Sequence, residues 1–294
     1  MGLSDEVRRH CAQVAAEARS VRIDLEALDT VEPAEPPELD AEVHYLEGTP
    51  ADVALYLLAL DAINFGSGWF PLLDKRMVGG EPISGYFTVA WNLSDQWRAE
   101  GPWTSADLRV MSTERIAAAL RQSADLELMS LFAQALRELG RLLGDATALD
   151  LVEGTRGSAQ ALAATLAGSC AMFADHGFYK RAQIAVNDLA LAGIAEFHDL
   201  DELTIFADNL VPHVLRCDGV LIYDAALAAT IDGGALLPAG REEREIRACA
   251  VHACELLAQR TGIPPRVLDV WLWNRGQAPE YKARPRHRTR TVFY

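Results

Sequence analysis

Apolar residues in this chain recur at steps of three and four and rarely alternate, and that period decides its fold class. The clearest case lies in residues 126–143, where Leu126, Met129, Phe132, Ala133, Leu136, Leu139 and Leu143 mark one helical face. Start and stop signals agree. Ser4 reads as the cap of a first helix over 4–19, and Thr49 with Pro50 as the cap and first position of a helix over 50–60. Ser84 reads as the cap of a helix carrying Tyr86, Phe87, Trp91 and Trp97, aromatics that suit either core or pocket wall. Further helices are expected over 158–167, over 242–260 with Gly262 as the stop, and over 267–273 behind Pro264 and Pro265. No run of alternating strands, repeat or low-complexity tract interrupts the pattern. The expected fold is all-α, with residues 1–294 forming one helical domain.

Charge is unevenly distributed. The chain carries 27 Lys and Arg against 42 Asp and Glu, a net charge of −15. Lys282, Arg284, Arg286, Arg288 and Arg290 lie in a basic tail over 281–294 that has no acidic residue, so the remainder holds 22 cations against 42 anions. A body at −20 repels polyanions and argues against a stable nucleic-acid partner. The tail reads as a solvated or partner-docked terminus, with a nucleic-acid arm as the other option. Residues 32–39, acidic and proline-rich, read as a surface loop.

Cys11, Cys170, Cys217, Cys249 and Cys254 are odd in number and scattered, as in a reducing compartment. Cys249 and His252 fall on one helix face without a further ligand pair, so no metal and no cofactor are expected. Charge at the very start excludes a signal peptide, and the apolar run over 53–60 is too short to span a bilayer. A cytoplasmic protein is expected.

Residues 178–212 hold the densest chemistry. Phe178, Tyr179, Lys180 and Arg181 precede a helix with Ala182, Ala185, Val186, Leu189 and Ala190 on one face and Gly193 as its stop. Asp199 and Glu202 read as the capping pair of a second helix ending at Phe206-Ala207-Asp208, with a third near Pro212. Asp208 thus sits between apolar runs, beside Phe206 and close to a helix N-terminus. Such a carboxylate is either a tuned functional group or a plain helix cap. Upstream, Asn64, Phe65, Gly66, Ser67, Gly68 and Trp69 read either as backbone approaching a flat ligand or as a helix stop followed by core aromatics. P-loop, dinucleotide, nucleophile-elbow and HExxH signatures are all missing. Carboxylates, a lysine and aromatics suit glycosidic chemistry, in which a carboxylate stabilises an oxocarbenium-like transition state.

The set LDAINFGSGW, GFYKRAQIAVNDL, LTIFADNLVP, EREIRACAV and LDVWLW resembles the queuosine salvage protein family over residues 43–273. That resemblance implies hydrolysis of the N-glycosidic bond of queuosine 5′-monophosphate, a small-molecule substrate, on a fold like that of helix-hairpin-helix DNA glycosylases. It implies Asp208 as the catalytic carboxylate, Lys180 in the site holding phosphate or ribose, and Asn64, Phe65, Trp69, Phe206 and Asp269 as pocket residues. Asp269 then accepts hydrogen bonds from the base or its ammonium, unless it is a cap. His44 is a further pocket candidate. Queuine is a 7-deazaguanine, so the leaving base lacks the N7 protonation site and the enzyme must act on the ribosyl cation. The rival readings are a non-catalytic helical module that binds nucleic acid or protein, and a DNA base glycosylase, which the acidic body disfavours.

Overall fold

Many helix starts in this chain are set by side chains placed just ahead of them. Thr49 accepts the Asp52 N–H, and the Asp52 carboxylate returns a 3.1 Å bond to the Thr49 N–H, opening the Pro50–Ala62 helix. Thr104 and Thr147 repeat this box, while Ser84 and Ser158 cap the Gly85–Glu100 and Ala159–Ser169 helices. Each cap is worth about 1 kcal/mol. A computed structural model describes residues 2–34 and 38–294 and is all-α, with fifteen α-helices among those residues. The only strands among them form two-stranded ribbons, Val21–Ile23 with Leu221–Tyr223 and Met77–Val78 with Glu81–Pro82. These are too short to show an alternating pattern. No described helix is long and apolar enough to cross a membrane. The loop expected over 32–39 falls partly outside the described residues.

Packing is organised around the Pro50–Ala62 helix, in which every residue from Val53 onward is buried. A helix apolar on all sides needs neighbours on all sides. It has them in the Lys180–Leu191, Glu127–Leu143 and Ala148–Gly154 helices. The long Arg241–Thr261 helix lies along Leu3–Glu17 and joins the start of the chain to its last third.

Three expectations are corrected. Ser4 does not cap the first helix: the helix begins at Leu3 after Gly2, and Ser4 is buried within it. The helix expected from Asp199 to Asp208 is a single 3₁₀ turn, Leu200–Glu202, followed by non-helical chain. Asp199 instead accepts hydrogen bonds from Ser158 and from the N–H groups of Ala159 and Gln160, capping another helix. The Thr204 and Phe206 N–H groups donate to Gln183 and Asp269 at 2.9 and 2.8 Å. Side chains of neighbouring helices thus do what helical carbonyls would have done.

The third correction concerns the basic tail. Residues 283–294 form a strap bound into the body, with His287, Thr289 and Tyr294 buried. Its backbone carbonyls are acceptors for the core: Val292 from Arg181 at 2.6 Å, His287 from Asn209 at 3.0 Å, and Tyr294 from the Gly66 N–H at 3.0 Å. Gly66 has φ 109°, and a Cβ on Gly68 would lie 2.6 Å from the Thr289 carbonyl oxygen. Gly68 thus admits the chain's own strap, where the sequence had suggested a flat ligand or a helix stop.

Candidate functional site

The Lys180–Leu191 helix turns Lys180, Ile184, Asn187, Asp188 and Leu191 toward one cavity of about 760 Å³. Their spacing follows a single helical face. The helix starts from Tyr179, which is held in the left-handed region at φ 50° while its hydroxyl donates to Glu6 at 2.8 Å. A non-glycine residue in that conformation costs about 1 kcal/mol, and here it fixes where Lys180 leaves the chain. Phe206 and Asp208 of the non-helical segment, Asp269 and Trp273 of the Pro265–Arg275 helix, and Tyr86 of the Gly85–Glu100 helix complete the lining.

Asp208 is half-buried, and its Oδ1 accepts the N–H groups of Leu210 and Val211 at 2.7 and 3.0 Å. It is therefore a cap for the Val211–Cys217 helix and a cavity residue at once. Its Oδ2 has no hydrogen-bond partner among the described residues.

Lys180 is the cation at the centre of a carboxyl cluster. Its Nζ donates to the Asn64 carbonyl at 3.1 Å. Burial lowers its pKa, and the charges of Asp208, Asp61 and Asp269 oppose that shift. Burial, reinforced by the Asp208 charge, pushes Asp269 up to about 8, against the hydrogen bond from Phe206 and the charge of Lys180. Burial lifts Asp188 to about 7, with Asn187 and Lys180 opposing. Asp61 is raised well above the usual carboxylate range by burial and then by Asp188. One Asp61 oxygen accepts a 3.2 Å bond from Asn64 and the other has no partner among the described residues. Burial thus favours the protonated form of Asp61 and Asp269 at neutral pH.

The sequence-predicted residues divide. His44, Asn64, Phe65, Lys180, Phe206, Asp208 and Asp269 line the same cavity, and Trp69 does not. The Trp69 indole donates to Glu127 at 2.8 Å in the wall behind, with the Arg290 guanidinium 5.7 Å from its ring. His44 Nδ1 lies 2.9 Å from the Asp40 carbonyl, which can only accept, so Nε2 accepts a hydrogen bond from the Tyr86 hydroxyl at 3.1 Å. Tyr86 in turn meets Trp273 edge-on at 5.4 Å, giving the cavity an aromatic side suited to a flat base. Phe65 touches the cavity but is mostly core, edge-on to Phe132 at 5.0 Å.

Sequence reasoning left Tyr86 open between core and pocket wall, and missed Asp61, Asp188, Trp273 and the strap residues. Asp188 carried a signal: with Asn187 it is polar on the face that Lys180 opens, two turns along. Lys282, Arg284, Arg286 and Arg288 of the strap also line the cavity. Burial lowers the pKa of half-buried Arg286, and the charge of Asp208 opposes the shift.

Comparison with known proteins matches residues 43–294 to the family described as queuosine salvage protein. The match continues through the strap, which the sequence reading had left outside the similar region. The chain is 33% identical to a queuosine 5′-phosphate N-glycosylase/hydrolase of Sphaerobacter thermophilus, covering 96% of this chain and 95% of that one. The protein of the same name from Mus musculus is 29% identical over 86% of each chain. That of Dictyostelium discoideum is 41% identical over 40% of each.

Proposed function

The chain belongs to the queuosine salvage protein family, and from that premise we propose that it hydrolyses the N-glycosidic bond of queuosine 5′-monophosphate, releasing queuine. The observation that carries this reading is Asp208. It is a cavity carboxylate oriented through Oδ1 by two backbone N–H groups, with Oδ2 unpartnered among the described residues.

As the bond from C1′ to the base opens, its electrons move to the base and positive charge grows on the ribose. The Asp208 carboxylate stabilises that charge, and Oδ2 is available to take a proton from the incoming water. Asp269, raised to about 8, keeps its proton at neutral pH and can donate to the departing base. This matters for a 7-deazapurine, which offers no N7 to protonate. Lys180 holds the carboxyl groups in place and limits their mutual repulsion. Tyr86, Trp273 and Phe206 provide the surface against which the base lies. The reading carries with it one helical unit built like helix-hairpin-helix DNA glycosylases, a cytoplasmic location and no cofactor.

The test is incubation of purified protein with queuosine 5′-monophosphate and mass spectrometry of the products. Queuine and ribose 5-phosphate are expected in equal amounts. No queuine above the rate without protein would overturn the reading.

A further inference from the structure

We infer that Arg286, flanked by the other strap cations, forms the subsite for the 5′-phosphate of the nucleotide, and that Lys180 does not hold it. The inference rests on the cavity being a nucleotide N-glycosidase site. In such a substrate the phosphate and the scissile bond are carried on one ribose. The phosphate ligand must therefore stand near the catalytic carboxylate, yet outside the carboxyl cluster.

Lys180 fails that requirement. Its ammonium is buried, donates to the Asn64 carbonyl, and sits among the carboxyl groups of Asp208, Asp61 and Asp269. A phosphate dianion would have to be buried to reach this ammonium, which already has a partner. Arg286 meets the requirement. It lines the cavity, is half-buried, and feels the charge of Asp208.

Its neighbours in the strap are already engaged. Arg284 pairs with Asp232 at 3.6 Å and Arg288 donates to the Gly234 carbonyl at 2.6 Å. Arg286 makes no hydrogen bond or ion pair among the described residues. A half-buried guanidinium that lines a cavity with no hydrogen bond or ion pair is incompletely compensated until an anion arrives. The backbone beside it is already fixed, because the His287 carbonyl accepts from Asn209 and the Arg288 carbonyl from Leu237. Binding therefore orders little new structure. The guanidinium fork also matches a phosphate in two parallel bonds, which an ammonium cannot do.

Two measurements on Arg286→Gln and Arg286→Lys decide the matter. In the first, kcat/KM is compared on queuosine 5′-monophosphate and on queuosine. The Gln variant should lose about ten- to a hundredfold more on the nucleotide than on the nucleoside, the scale of a charge-assisted bond. The Lys variant should recover part of that difference. Equal losses on both substrates would overturn the subsite. In the second, inorganic phosphate should raise the melting temperature of the wild-type chain and not that of the Gln variant. Equal shifts in both would also overturn it. A wild-type chain inert on both substrates would sink the functional reading alone, and the phosphate-induced shift would still decide the subsite.

Discussion

The carboxyl wall and the basic strap line the same cavity but are held by opposite means. The wall stands on regular helices: Lys180 and Asp188 on one, Asp269 on another, with Asp208 capping a third. Its own groups strain it, since burial raises Asp61, Asp188 and Asp269, and neighbouring carboxylates raise Asp61 and Asp269 further. The strap from 284 onward has no regular structure and lends its carbonyls to Arg181, Asn209 and Gly66 of the body. Arg181 also donates to the Ala62 carbonyl, so one guanidinium ties the central helix to the strap. A rigid scaffold can carry groups that destabilise it, whereas an irregular segment must be anchored by partners that would otherwise be buried and unpaired.

The largest test of that contrast removes the strap. Deleting residues 283–294 leaves the Arg181 and Asn209 donors and the Gly66 N–H without these acceptors. A loss of about 4 kcal/mol or more is expected, read as a collapse of cooperative thermal unfolding. A shortened chain that melts like the full one would make the strap an accessory.

The wall should behave in the other sense. Asp269 has its pKa raised from 3.8 to about 8 in the folded chain, so it keeps a proton there that the unfolded chain releases. Its contribution is fully present at acid pH and is lost as pH rises from about 4 through about 8. Asp269→Asn keeps an acceptor for the Phe206 N–H and cannot ionise. Relative to the wild type, the variant should gain on the order of 5 kcal/mol of stability across that range. Parallel stability–pH curves from chemical denaturation would remove the strain from the wall.

The smallest expected effect separates the strap's backbone from its charges. Lys282, where the strap leaves the Pro279–Lys282 helix, is exposed. Lys282→Ala should shift stability by less than about 0.5 kcal/mol. A larger loss in a melting curve would mean that charge, and not buried carbonyls, holds the strap.

The helices were legible because their caps and apolar period are local: Thr49, Ser84 and Gly262 mark boundaries that the fold keeps. Lys180, Asp208 and Asp269 were legible as a group through the family resemblance, and the fold brings them to one cavity. The segment after Asp199 misled because a capping pair says nothing about which helix is capped, and Asp199 caps one forty residues away. The strap misled because composition alone describes it as solvated. Its anchors are backbone carbonyls, which no side-chain pattern reports. Asp188 lay within reach of a stricter reading of one helical face.

The central claim is that the Asp208 carboxylate acts in the transition state beyond capping a helix. Asp208→Asn keeps size and capping capacity while removing the charge. Single-turnover kinetics on queuosine 5′-monophosphate, run beside a melting curve, test it most directly. Turnover should fall about a hundredfold or more, on the order of 3 kcal/mol, while stability shifts by about 1 kcal/mol. Near-normal turnover in a destabilised variant would contradict the claim and leave Asp208 as a cap alone.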